Sequence, residues 1–264
     1  MSHQISSFVD DYAPYTKGQL NRLGQYRASD YLRENVINNS DKHWDAFYKK
    51  NGDKFFKNRH WITREFPELR DSDPKLEKRL MEVGCVFPLL ETSHPNLRVI
   101  AFDLSPHAVE IIKSHHIYAT NQINAFAYDI TNPEDLDVPG VSPGSMDFIT
   151  LIFVLSAIPP SKIESAMRKV IRALKPGGVI FFRDYARGDL AQKQMSERDG
   201  YKTIQDNLYM RGDFTMTYYF SKEEVINMMG PLTCIECGHH EKQVINHKED
   251  KNMNRVFVQG RFIK

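Results

Sequence analysis

The sequence has little cysteine. Cys85, Cys234 and Cys237 are its only thiols, too few for a disulfide framework and suited to a reducing compartment. Long apolar runs are missing as well. None approaches the roughly 20 residues that a membrane-spanning helix needs, so no membrane association is expected. The first residues, MSHQISSFVDDYAPY, are polar and lack the apolar segment of a secretory leader,. A cytoplasmic location, or a nuclear one, is the expectation. Charge of one sign is also missing, since 35 basic and 34 acidic residues leave a net +1. No global field attracts a polyanion, and an RNA partner would need a local basic patch. Two nucleotide signatures are absent. Without G-x-G-x-x-G after the first apolar run a dinucleotide dehydrogenase is disfavoured, and without G-x-x-x-x-G-K-[ST] so is a P-loop NTPase. Cys234-x-x-Cys237, followed by His239 and His240, looks like half a zinc site. A structural zinc needs four ligands, and in a regular strand these two cysteines face opposite sides. No metal is expected.

What is present is an alternation of apolar runs and helical segments. No linker, internal repeat or low-complexity tract divides the chain. A polar, partly helical or disordered segment is expected over 1–40 and one domain over 41–264. Residues 79–84, 97–103, 123–129, 146–158 and 179–185 read as strands, the fourth apolar on both faces as a central parallel strand is,. Ser105 and Pro106 open a helix over 105–116. Residues 161–178 read as a helix stopped by Pro176-Gly177-Gly178. Residues 201–220 read as an insertion leading to a short strand. Ser221 and Glu224 form a capping-box pattern for a helix over 221–230. Two last strands, near 232–237 and 255–263, are expected to pair antiparallel at a sheet edge. This is an α/β chain with a mostly parallel sheet covered on both faces, and its ligands should bind beyond the carboxyl ends of the strands.

Three of the apolar runs carry an acidic residue at or near their ends: Glu82, Asp103 and Asp129. A carboxylate after the second strand can accept hydrogen bonds from both hydroxyls of a ribose, and a side chain after the third can reach an adenine edge. Acidic residues also start loops and cap helices, but three in order before LKPGG point to a nucleoside cofactor. Residues 49–64, KKNGDKFFKNRHWITR, interleave Lys49, Lys50, Lys54, Lys57, Arg59 and Arg64 with Phe55, Phe56 and Trp61. That is either a solvated helix face or a surface for RNA.

HWDAFYKKN, FFKNRHWITREF, AFDLSP, LIFVLSAIPPSK, LKPGG, FFRDYARGDLAQ and YMRGD together resemble the methyltransferase-like family of tRNA 3-methylcytidine methyltransferases. The resemblance runs from about residue 43 to the C-terminus. FFKNRHW, IFVLSAIPP and FRDY are particular to that family, whereas AFDLSP and LKPGG are shared by many class I methyltransferases. It implies a Rossmann-like class I fold, a seven-stranded mostly parallel sheet with helices on both faces. It also implies an enzyme that uses S-adenosylmethionine to methylate N3 of a cytidine in the tRNA anticodon loop, usually position 32, in tRNAs such as those for serine or threonine. An aminoacyl-tRNA synthetase such as seryl-tRNA synthetase is an implied helper. Carried over by match, Trp44 and Tyr48 close over the cofactor, Gly84 lies against its methionine part, Asp103 holds the ribose, and Asp129, Ile130 and Ile152 frame the adenine. Arg183, Asp184 and Tyr185 face the target cytosine, with Asp184 accepting from its exocyclic amine. Tyr185 and Phe56 are candidates to stack on bases, and Lys57, Arg59, His60 and Arg211 are candidate phosphate contacts, His60 being equally readable as a structural histidine.

One departure stands out. The family reads V-G-C-G-x-G-N after the first strand, and here Val83-Gly84-Cys85-Val86-Phe87-Pro88 is about five residues shorter, with two glycines gone that let backbone approach the cofactor,. Two other functions therefore stay open: a non-catalytic relative that keeps the RNA- or protein-binding surface, and a small-molecule methyltransferase. The basic-aromatic segment counts against the latter.

Overall fold

The computed structural model describes residues 29–52, 61–70, 73, 75–84, 96–116, 118, 122–197, 202–246 and 251–264. Helices α1 (Asp30–Asn38), α2 (Ser40–Asn51) and α3 (Trp61–Glu65) precede a 3-10 turn at Pro67–Leu69. Then come β1 (Lys78–Val83), β2 (Leu97–Asp103), α4 (Pro106–Ser114), β3 (Ile123–Ala127) and β4 (Met146–Ile152). A 3-10 turn at Leu155–Ala157 leads into α5 (Pro160–Ala173), β5 (Leu174–Tyr185) and α6 (Leu190–Glu197). The chain then runs through β6 (Thr203–Gln205), β7 (Leu208–Met210), β8 (Met216–Tyr218), α7 (Lys222–Met228), β9 (Thr233–Asn246) and β10 (Lys251–Ile263).

Seven strands form one sheet in the order β3-β2-β1-β4-β5-β10-β9. The first five are parallel, and β10 is antiparallel to both of its neighbours. The order reverses between β1 and β4, which is where such sheets open a crevice for ligands. Every residue of β4 is buried, as its unbroken apolar run requires. One face of the sheet packs on α1, α5, α7 and the 204–220 region through Leu32, Val36, Val170, Phe182 and Phe220. The other packs on α3, the Pro67–Leu69 turn and α4 through Ile62, Phe66, Leu69, Val109 and Phe181. Each such side chain contributes roughly 1.5–3 kcal/mol when fully buried. Ser105 caps α4 through the Ala108 amide, and both halves of the Ser221–Glu224 capping box form.

Four expectations change. The helix read over 161–178 ends at Ala173, because Leu174 pairs with Met146 and begins β5. Register then slips, Phe148 opposing Val179, so Lys175–Gly178 bulge out of the ladder with Gly177 at φ 76°,. Residues 203–218 hold a second, three-stranded antiparallel sheet, β6-β7-β8, rather than one short strand. Asn207, at φ 63°, makes its first turn, a conformation asparagine tolerates,. The last two strands are longer than read, pairing from Ile263 with Thr233 out to Lys251 with Asn246. A bulge at Ile235 changes the cysteine geometry. Cys234 opposes Phe262 and Cys237 opposes Gly260; partners two residues apart share a face, so the two cysteines share one as well. Among the described residues no cluster of three or more His, Cys, Asp or Glu could hold a metal ion.

Candidate active site

The carboxyl edge of the parallel strands gathers two groups of side chains. The first lies over β1 and β2. Gly84 leaves β1 at φ 103° with its amide on the Phe102 carbonyl, and a Cβ there would stand 3.2 Å from Val154. Only glycine suits that backbone. Asp103 ends β2. Its carboxylate accepts from the Ser105 amide at 2.8 Å and lies 3.4 Å from the Tyr48 hydroxyl. Burial pushes its carboxyl up to about 6, against hydrogen bonds from Ser105, Tyr48 and Leu104 that favour the ionised form. Trp44 sits one helical turn before Tyr48, ring centroids 6.1 Å apart.

Helix α2 carries both aromatics and is latched in place by Asp45. That carboxylate accepts from the Ser105 hydroxyl at 2.8 Å and the His107 amide at 3.1 Å, at the first turn of α4. Negative charge is favoured at a helix N-terminus. Burial raises the Asp45 pKa, but Lys49, Ser105 and His107 outweigh it and hold the carboxyl below its ordinary value. Sequence reasoning passed over Asp45, although it stands beside Trp44.

Beyond β3, Asp129 is exposed and accepts from the amide and hydroxyl of Thr131. It borders a cavity of about 540 Å³ lined also by Asn132, Pro133, Ser161 and Lys162. Lys169 reaches from α5 to the carbonyls of Ile130 and Asn132, at 2.7 and 2.5 Å, and fixes this loop from below. Ile130 and Ile152 are 6% and 1% exposed. They are core residues behind the loop, and the charged side chain exposed at this end of β3 is Asp129.

The second group lies over β5 and β10. Strand alternation splits the Arg183-Asp184-Tyr185 trio. Asp184 points into the core with no exposure. It accepts from the Ser156 and Tyr185 amides, both at 2.9 Å. Burial pushes it up to about 6 although the bonds from Ser156 and Tyr185 oppose that. Arg183 lies under the Trp61 ring at 3.8 Å and pairs with Glu65 at 3.9 Å. Burial lowers its pKa to about 10. Neither side chain presents surface to a ligand, contrary to the sequence expectation, because one is spent on the turn after β4 and the other on α3.

Tyr185 does present surface, within a box of rings. Phe153 is 5.1 Å away, Tyr219 5.8 Å and Phe257 6.0 Å between centroids. Two guanidinium groups approach the same ring, Arg211 at 5.4 Å and Arg255 at 5.6 Å. The expected phosphate contact Arg211 thus stands in the box, not on open surface. Arg255 is gripped by buried Asp189, Nε to Oδ2 at 2.8 Å, while the Val256 and Ala191 amides bond the same carboxylate. Phe153 holds φ 60°, rare for a bulky residue, with its amide on the Arg183 carbonyl,. Phe153, Tyr219, Asp189, Arg255 and Phe257 were not foreseen; only FVLSA and FRDY near them carried a signal. Phe56, Lys57, Arg59 and His60 lie outside the described residues.

Aromatic faces with guanidinium groups suit a flat base and its phosphate. A carboxylate at the end of β2 with a phenol beside it from α2 suits a ribose,. The donors present therefore fit a nucleoside cofactor beside a nucleobase substrate.

Comparison with known proteins places the chain in a family. A family model described as a methyltransferase domain matches residues 51–230. The tRNA N(3)-methylcytidine methyltransferase trm141 of Schizosaccharomyces pombe is 36% identical over 244 residues, 90% of this chain and 97% of that protein. The tRNA(Thr) (cytosine(32)-N(3))-methyltransferase of Saccharomyces cerevisiae is 35% identical over 237 residues, 85% of this chain and 37% of that one. Among solved structures, a methyltransferase from Anabaena variabilis superposes with a TM-score of 0.61 at 16% identity, covering 84% of this chain and 94% of that one, which shows the shared class I fold. By sequence, the chain belongs to the tRNA N(3)-methylcytidine methyltransferases.

Proposed function

We propose that this chain transfers a methyl group from S-adenosylmethionine to N3 of a cytidine in the tRNA anticodon loop, at position 32. The observation that carries the reading is the placement of two unlike sites on one sheet edge. Asp103 ends β2 and Tyr185 ends β5, with β1 and β4 between them. Three inter-strand steps are about 14 Å. A nucleoside over β2 and β3 with its amino-acid part beside Gly84 leaves the region over β4, next to Tyr185, for methyl transfer.

When bound, S-adenosylmethionine supplies an electrophilic methyl carbon on a sulfonium. The N3 lone pair of cytosine would accept that methyl group, the C–S bonding pair staying on sulfur. No proton leaves N3, so the protein needs no general base there, and orientation is its main contribution. Asp103 and Tyr48 orient the ribose, while Trp44 covers the cofactor and excludes water. Tyr185 and the neighbouring rings hold the flipped base. The methylated ring is a cation, which aromatic faces bind better than neutral cytosine, so the box favours the transition state over the ground state. Asp184 acts at one remove, by fixing the Ser156 turn and the Tyr185 backbone. Arg211 and Arg255 balance the adjoining phosphate. A seryl-tRNA synthetase or similar protein is a proposed helper in presenting the tRNA.

The test is incubation of the purified chain with labelled S-adenosylmethionine and serine or threonine tRNA transcripts, followed by nucleoside mass spectrometry. Methyl-labelled 3-methylcytidine at position 32 is expected. Cofactor and tRNA binding without methylation, with and without a seryl-tRNA synthetase, would instead favour the non-catalytic reading that the shortened turn after Gly84 raises.

A further inference from the structure

Helix α2 has a second contact, unrelated to the cofactor. His43, the residue before Trp44, stacks its ring on Phe214 with centroids 5.7 Å apart and planes 26° apart. The His43 Nε2 atom is buried and makes no hydrogen bond among the described residues, so at this edge the ring is held by packing. Phe214 lies in the turn that joins β7 to β8. Its φ is 63° and it is 9% exposed. A bulky L-residue adopts that conformation only where its surroundings hold it there.

The turn is tightly tied. The Arg211 amide bonds the Thr215 carbonyl at 2.7 Å, and the Phe214 amide bonds the Arg211 carbonyl at 3.1 Å. Asp213 accepts from the amide and hydroxyl of Thr215. Whatever moves Phe214 therefore moves Arg211, whose guanidinium lies over Tyr185. At the other end of the contact, whatever moves His43 moves Trp44 and Tyr48, and with them the hydroxyl beside Asp103. The stack thus runs from the element that covers the cofactor to the element that positions the base pocket.

We propose that the His43–Phe214 stack couples the two sites, so that cofactor seated under α2 sets the 211–215 turn for RNA and bound RNA holds α2 closed. The proposal rests on the reading of the two sites given above. His43 and Phe214 touch neither ligand in it; they are positioning residues. Coupling of this kind is reciprocal: each ligand must raise the affinity of the other by the same factor.

The experiment measures that factor. The dissociation constant of a tRNA transcript is determined with and without saturating S-adenosylhomocysteine, and that of S-adenosylhomocysteine with and without saturating tRNA. Wild-type protein is compared with His43→Ala and Phe214→Gly. Glycine accepts φ 63° without strain,, so the second variant keeps the turn while removing the ring. Wild type should show about tenfold mutual tightening, within the usual range of coupling energies. In both variants the factor should fall to near one, with affinity for S-adenosylhomocysteine alone changed by less than about twofold. A merely structural role would weaken each ligand separately and leave the factor intact. If wild type methylates tRNA but shows a factor of one, or if both variants keep the full factor, the coupling is overturned and the functional reading stands. If wild type binds no tRNA either alone or with a seryl-tRNA synthetase present, both fall.

Discussion

Over β2 and β3 the candidate site is made of single residues at or just beyond the strand ends with one helix, α2, laid across them, whereas over β5 and β10 it is assembled from segments as far apart as Phe153 and Phe257. At the strand ends of the first region the bonds are local, Asp103 to Ser105 and Asp129 to Thr131, while Tyr48 and Asp45 reach in from α2. The second is held by buried charge and stacked rings, with Asp189 reaching 66 residues along the chain to Arg255. On the proposed function, the contrast follows from what each region would bind. A cofactor that nearly every turn of the sheet edge can touch needs short side chains on the strand ends. A base drawn out of an RNA loop needs broad faces, and these must come from several elements.

This contrast is most sharply tested by damaging each region once. Asp189→Ala should cost stability. It leaves Arg255 and the Val256 and Ala191 amides without their shared carboxylate, whose side chain has no exposure. Removing one member of a buried pair costs about 3–5 kcal/mol; Arg255 keeps some access to water, so about 3 kcal/mol, or roughly 10 °C in Tm, is expected. Calorimetry showing a drop under about 2 °C would mean that the second region does not depend on its buried charge.

Asp103→Ala should do the reverse. Two charge-assisted hydrogen bonds to a ribose are lost, each about 1.5 kcal/mol, so affinity for S-adenosylhomocysteine should fall about 100-fold. Burial disfavours this carboxylate's charge, so Tm should stay level or rise. Titration calorimetry and a thermal melt on the same sample check both halves. Unchanged affinity would remove Asp103 from the cofactor site.

The same contrast decides how much could be read from the sequence. The parallel sheet was legible because each strand is a separate apolar run and β4 is apolar throughout. Asp103 and Asp129 were legible because an acid that ends such a run is conspicuous. Tyr185 was legible only through the resemblance carried by FRDY, and the alternation that turns Asp184 inward was visible in principle, since neighbours in a strand oppose. Phe153 was not legible, because nothing in FVLSA announces a positive φ. The pairing of Asp189 with Arg255 depends on β10 folding back beside β5, which no local pattern encodes. Strands of three residues, as in β6, β7 and β8, are too short to show a period. The bulge at Ile235 reversed the expected facing of Cys234 and Cys237 for the same reason, being a matter of register.

Gly84→Ala probes the first region more gently. A Cβ at φ 103° is strained whatever the space, and here it would also press on Val154 at 3.2 Å. A loss of about 1–2 kcal/mol in stability is expected, with a similar weakening of cofactor affinity and no change in tRNA affinity. Should tRNA affinity fall equally, the turn after β1 would be serving both regions.

The smallest effect is that of pH, and it separates the regions by sign and by ligand. Asp103 and Asp184 both have carboxyls raised to about 6 by burial. Between the ordinary carboxylate range and pH 6 the folded chain holds protons that the unfolded chain has released, so these two groups make stability fall as pH rises through that window. Cofactor affinity should move the other way. Only ionised Asp103 can accept from both ribose hydroxyls, so affinity should be lowered about twofold at pH 6 and about tenfold at pH 5 relative to pH 8. Asp184→Asn should flatten part of the stability profile and leave the cofactor profile as it was, because Asp184 touches the Ser156 turn and not the ribose. A cofactor profile that flattened with it would show that the two halves of the sheet edge titrate as one.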